Sequence, residues 1–349
     1  ALEAIEALQC VVDFAGKAPK ALYYLGNLWY DKRRYPTAIA AWERSSREDE
    51  TFPTVWRNLS LAYFNKMNRP DEAVALLEKA FRLDHTDARV LMELDQLYKR
   101  LNRPHIERLC FLEQHIDIVM TRDDLYLEYV TLLNQTGQYR EAIRRIDQRK
   151  FHPWEGGEGK VPAQYQLARL ELAKELIIRK KYDDALALID ECYIYPAHLG
   201  EGKLPGAQEN DFNYYKAYIL QQQGRPEEAH SLFVKACSGN SQPAAAMYYN
   251  DQKPDKIFYQ GLAYRKLGEE EKARSRFNQL ITYGEEHLFD RFKMDYFAVS
   301  LPDLLIWEDD MDKKNRIHCN YLMALGHLGL GNRTKAEHFF DIAASMDNN

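Results

Sequence analysis

One alanine recurs along the chain in constant company. It is Ala38 in YPTAIAAW, Ala73 in RPDEAVALL, Ala142 in YREAIRRI, Ala185 in YDDALALI, Ala229 in RPEEAHSLF, Ala273 in EEKARSRF and Ala336 in RTKAEHFF, with Arg108 filling the slot in a weaker copy. Successive slots lie 35, 35, 34, 43, 44, 44 and 63 residues apart, so one short unit recurs and the later copies carry inserted loops. Four residues after each slot comes Trp42, Leu77, Leu112, Ile146, Ile189, Phe233, Phe277 or Phe340, one helical turn onward on the same face. Nine or ten residues before it stand Trp29, Tyr63, Tyr98, Leu133, Leu176, Leu220, Tyr264 and, as a departure, His327.

Between these landmarks lies Gly137, Gly224, Gly268, Gly331, Asn68 or Asn102, residue types that accept the left-handed backbone at a helix end. A small residue recurs near the middle of the preceding segment as Gly26, Ala173, Ala217, Gly261 and Ala324, while Ser60, Asp95 and Val130 depart from it. The repeating unit is therefore helix, tight turn, helix, with small residues where the two helices approach. This pattern resembles the tetratricopeptide repeat, and the resemblance covers essentially the whole chain. It implies an all-α fold: a right-handed superhelical solenoid of eight helix pairs without β-sheet. Residues 1–18 read as an orphan second helix with Ala4 in the slot, residues 19–151 as repeats of ordinary length, and residues 152–349 as the same solenoid with long inserted loops. An opening in mid-repeat predicts a chain excised from a longer protein, because solenoids cap their ends with polar faces.

Composition narrows the rest. With 46% hydrophobic residues the chain can build a core, its formal charge of -6 gives no electrostatic reason to bind nucleic acid, and no run approaches the ~20 apolar residues of a membrane span. Cys10, Cys110, Cys192, Cys237 and Cys319 are widely spaced in helical stretches, which predicts reduced thiols and a cytoplasmic location. No zinc-like His/Cys spacing, nucleophile motif or cofactor fingerprint occurs, so no catalytic residue, metal or cofactor is expected. His287, beside Glu285 and Glu286, reads as part of a solvated loop and His327 as a packed core histidine. The acidic run Glu308, Asp309, Asp310 and Asp312 reads as a solvated surface near a helix start.

Two inserted loops repeat each other at an offset of 43: HPWEGGEGKVP from His152 to Pro162 and YPAHLGEGKLP from Tyr195 to Pro205. The shared GEGK is not a phosphate loop, since Gly would be needed at Trp154 and Ser or Thr at Val161. Three readings stay open: turn geometry alone, Glu158 and Glu201 as the paired carboxylates of glycoside chemistry, or a contact surface for a ligand or domain. The contact reading names Trp154, Glu158, Lys160, His198, Glu201 and Lys203. The twin loops, with the insertions 239–254 and 283–314, also resemble the C-terminal region of large bacterial tetratricopeptide proteins whose N-terminal half is a β-rich domain of uncharacterised function. That second resemblance implies a link to carbohydrate handling through the other domain.

Register places Tyr23, Asn27, Tyr30, Arg57, Phe64, Arg89, Gln96, Lys99, Tyr214, Tyr218, Phe258, Arg265 and Tyr321 on the concave face, either as packing between repeats or as a surface for an extended peptide or stacked sugar rings. Chaperone-binding members of the family grip a carboxylate at positions that here hold Tyr23, Asn27, Asn58, Arg89 and Glu93. Tyr23 lacks the ammonium and Glu93 carries the wrong charge, so that function is not transferred. The expected function is a noncatalytic scaffold binding a protein or peptide, including an upstream domain of its own polypeptide. The alternative is an accessory region of a carbohydrate-active enzyme whose GEGK loops reach the ligand site.

Overall fold

The computed structural model describes residues 2–246, 251–291 and 306–349, and among these every regular element is helical. The insertions expected at 239–254 and 283–314 thus lie partly outside the described residues. The chain divides into two units: residues 1–126 with 302–308, and residues 127–301 with 309–349.

In the first unit α1 (Leu2–Phe14) precedes three helix pairs: α2 (Pro19–Asp31) with α3 (Tyr35–Glu48), α4 (Pro53–Met67) with α5 (Pro70–Leu83), and α6 (Ala88–Arg100) with α7 (His105–Gln114). A single turn, α8 (Ile116–Val119), follows. Each helix packs on the next in sequence, as a repeat array requires. Prolines at the first turns of α2, α4 and α5 start helices where a missing N–H costs nothing.

From α9 (Asp123–Gln135) onward the pairs are α9 with α10 (Tyr139–Asp147), α11 (Lys160–Ile178) with α12 (Tyr182–Cys192), α13 (Asn210–Gln222) with α14 (Pro226–Ala236), α15 (Pro254–Lys266) with α16 (Glu270–His287), and α17 (Met311–Gly329) with α18 (Arg333–Met346). First helices of neighbouring pairs also meet in this second unit, α13 on α15 and α15 on α17.

The small-residue rule has a steric cause at each end of the array. A Cβ added to Gly26 would lie 2.2 Å from the Trp42 indole, and one added to Gly261 would lie 2.4 Å from the Phe277 ring. Phe277 is fully buried, and a second glycine, Gly329, also lies against its ring. Where the small residues are missing, the departure is coupled: Asp95 and Arg108, both buried, form a two-pronged ion pair of 3.0 and 2.8 Å across α6 and α7. One misfit thus answers the other. Ser60 is accommodated by donating its hydroxyl to the Ala73 carbonyl at 2.6 Å.

Among the described residues, the turn inside each of the eight helix pairs holds one residue with positive φ. Asn68, Asn102, Gly137, Gly224, Gly268 and Gly331 do so as their residue types predict, and Arg33 (φ 57°) and Lys180 (φ 58°) do so without any such signal. His287 is not in a loop with its glutamates: it ends α16, with Nδ1 2.6 Å from Asp290 and its ring over Tyr283. The acidic run is likewise more than solvated surface, for the Asp310 side chain caps α17 by accepting from the Lys313 N–H. His327 is buried and stacked on Phe339.

Candidate functional site

The twin loops lie side by side in the second unit. The Phe151 N–H donates to the His198 carbonyl at 2.8 Å, and the Gly159 N–H donates to Glu201 Oε2 at 2.7 Å, so the second loop clasps the first. Gly200 permits the approach, because a Cβ there would sit 2.7 Å from the Phe151 carbonyl oxygen. Identical GEGK sequences adopt different backbones. In the first copy the left-handed residue is Gly159, at the start of α11; in the second it is Gly200, which closes a short 3-10 turn at 197–199. Gly157 is instead needed for space beneath the Trp154 indole.

A half-open cavity of about 290 Å³ forms between the loops, lined among others by His152, Trp154, Glu155, Glu158, Leu199 and Glu201. The loops therefore bring Trp154, Glu158 and Glu201 together, but not the other three residues singled out with them. Lys160 opens α11. Lys203 turns away to pair with Glu209 and to donate to the Tyr193 carbonyl at 3.1 Å. His198 faces Asp147 at 3.8 Å and the edge of Tyr165. One wall is the half-buried Trp154 indole and the others carry three carboxylates, of which Glu201 already accepts a hydrogen bond. Such a lining favours a cation or a multiple hydrogen-bond donor over an anion.

The concave-face residues are largely engaged within the protein. Asn27 accepts from the Trp42 indole at 3.1 Å and from Asn58 at 2.9 Å, while Tyr23 packs edge-on against Phe52. Tyr214 packs on Phe233 and Tyr259, Phe258 on Phe277, and Tyr218 lies beneath Lys266. Glu93, the residue of wrong charge for carboxylate capture, is buried between Arg57, which grips both its oxygens at 2.6 Å, and Arg89 at 2.9 Å. The protein's own carboxylate thus fills the cationic place.

Residues 53–87 match a family model of the tetratricopeptide repeat, and residues 257–283 match a second model of the same repeat. The chain carries tetratricopeptide repeats. Among solved structures, the chain is similar to YrrB, described as a tetratricopeptide protein with an unusual peptide-binding site (15% identity, 54% of this chain and 91% of that one, TM-score 0.40). It is also similar to the apo form of the quorum sensor NprR from B. thuringiensis (13% identity, 98% and 91%, TM-score 0.44) and to a tetratricopeptide protein from Parabacteroides merdae (15%, 75% and 91%, TM-score 0.35).

Three of the cysteines are poor nucleophiles. Burial pushes the thiols of Cys192 and Cys237 up to about 12 and that of Cys319 up to about 11, so all three stay protonated near neutrality. All five cysteines are free thiols. No helix of the described residues is long and apolar enough to cross a membrane. Sequence reasoning missed one set of residues altogether: Asn65 and Lys66 at the end of α4, which hold Ile306, Trp307 and Glu308.

Proposed function

We propose that this tetratricopeptide chain is a noncatalytic scaffold that holds a protein partner, a further domain of its own polypeptide included, and that the twin-loop cavity is its contact with that partner. The observation carrying the reading is the convergence of Trp154, Glu158 and Glu201 on one cavity between two loops that clasp each other. An indole face beside carboxylates receives a Lys or Arg side chain well, through cation–π attraction and charge-assisted hydrogen bonds. The five free thiols fit the reducing cytoplasm.

An array of short peptides probed with the purified chain tests this. Lys- and Arg-containing peptides are expected to bind, and Trp154→Ala and Glu158→Gln to weaken them with an unchanged melting temperature. Binding indifferent to both substitutions removes the cavity from the contact surface. A second reading, carbohydrate recognition, draws on the same pairing of carboxylates with an indole. Retention on immobilised oligosaccharide, abolished by Trp154→Ala, would favour it over a basic peptide.

A further inference from the structure

The first unit contains a bound peptide of its own. Residues 306–308 adopt no helix, yet Trp307 is 1% exposed, and its contacts reach helices more than 200 residues away in sequence. The Trp307 indole N–H donates to the Glu93 carbonyl at 3.0 Å, and its ring stands edge-on to Phe64 at 5.2 Å. Asn65 grips the backbone on both sides of the tryptophan: its Nδ2 donates to the Ile306 carbonyl at 2.8 Å, and its Oδ1 accepts from the Glu308 N–H at 2.9 Å. Lys66, seated over the Tyr35 ring, pairs with the Glu308 carboxylate.

A repeat array holds itself together by nearest-neighbour packing, so a segment held mainly by side chains of distant helices is unusual as a structural brace. The format is that of peptide recognition. One amide reads main chain on either side of a central residue and is indifferent to sequence; a buried aromatic anchor and one ion pair supply the selectivity. Phe64, Asn65 and Lys66 are consecutive at the end of α4, so one turn of helix presents the aromatic wall, the backbone clamp and the cation together.

We infer that this groove is a binding site for an extended partner segment bearing an apolar residue, tryptophan and an acidic residue in succession, and that Ile306–Glu308 fills it in cis, holding such a partner off. The site is separate from the twin-loop cavity and goes beyond the function proposed from it. A tethered segment competes at an effective concentration near millimolar, so an untethered peptide of the same sequence meets a closed site.

The test uses the full chain and a fluorescein-labelled peptide Ile-Trp-Glu-Asp-Asp, the sequence of residues 306–310, with binding read by anisotropy. Two variants release the cis segment and leave the groove intact: Trp307→Ala removes the anchor, and Glu308→Lys sets it against Lys66. Both should bind the peptide at least roughly tenfold more tightly than the unaltered chain. Adding Asn65→Ala should abolish that gain, a peptide with alanine for tryptophan should not bind, and Trp154→Ala should change nothing. The inference is overturned if neither folded variant binds, if Asn65→Ala leaves binding intact, or if the unaltered chain binds as well as the variants. Circular dichroism monitors folding, and loss of folding in both variants overturns it too, by showing that residues 306–308 are a structural brace.

Discussion

Seven of the eight repeats have alanine where the third has Arg108, and a consensus argument would replace that arginine to gain stability, typically by about 0.5–2 kcal/mol. The structure reverses the sign. Arg108 and Asp95 are all but fully buried, and the guanidinium meets both carboxylate oxygens at 3.0 and 2.8 Å. Arg108→Ala strips that guanidinium from a buried carboxylate, a class of change that costs about 3–5 kcal/mol. Asp95→Ala should cost a similar amount by exposing the arginine to the same imbalance. Replacing both by apolar residues of fitting volume, Asp95→Val with Arg108→Met, should land within about 1.5 kcal/mol of the parent or above it. Valine is the natural choice, since Val130 occupies the equivalent place one repeat on and is fully buried. Coupling between the two sites then exceeds roughly 3 kcal/mol. Urea unfolding followed by circular dichroism reads this directly, because at ~1–3 kcal/mol per molar the single changes should move the midpoint down by about 1–5 M. A higher midpoint for Arg108→Ala, or a double variant as damaged as the sum of the singles, would refute the coupled-departure argument.

Other outcomes follow from the same packing. Phe277→Ala should cost about 3–5 kcal/mol, and Gly329→Ala, which drives a Cβ to 2.2 Å from that ring, about 1–3 kcal/mol, both read as denaturation midpoints. Lys180→Gly should stabilise by up to about 1 kcal/mol, since lysine at φ 58° bears a steric penalty that glycine lacks; a lower melting temperature contradicts it. In the twin loops Glu201→Ala should lower the melting temperature by freeing the Gly159 N–H, whereas Glu158→Ala at its exposed position should not, and equal effects would deny the clasp. Burial holds His318 and His327 below the ordinary 6.5, so the unfolded chain takes up their protons first and stability falls as the pH drops below about 6.5; calorimetry at pH 7.5 and 5 should show the loss, reduced in His318→Gln.

The features legible in the sequence are those in which sterics dictates residue type. The alanine slot and the glycines under Trp42 and Phe277 announce themselves because a larger residue would clash, and six of the left-handed turn residues because most side chains pay a backbone penalty at positive φ that Gly and Asn bear best. Arg33 and Lys180 do not, since ordinary residues carry a left-handed turn only when the surrounding helices impose it, and nothing local records that. Asp95 and Arg108 each look like decay of the repeat and make sense only as a pair. The twin loops were recognisable as neighbours from their offset, but not their clasp: the same four residues place the left-handed bend at Gly159 in one and Gly200 in the other, because Trp154 and the Phe151 carbonyl impose different surroundings. The Trp307 site leaves no periodic trace at all, its partners being single residues at the end of α4 and on α6.

The distance between Asn65 and Ile306, 241 residues, also has a meaning in time. Ribosomes add about 5–20 residues per second, so the α4 groove emerges roughly 10–50 s before the segment that will fill it. The twin-loop clasp, with 42 residues between its partners, closes within about 2–8 s. Each newly made chain therefore passes through an interval in which the groove is built and its own tryptophan does not yet exist. A partner synthesised nearby meets no competitor during that interval, whereas one arriving later must displace a tethered rival. The order of synthesis, as well as affinity, then decides which tryptophan the groove holds.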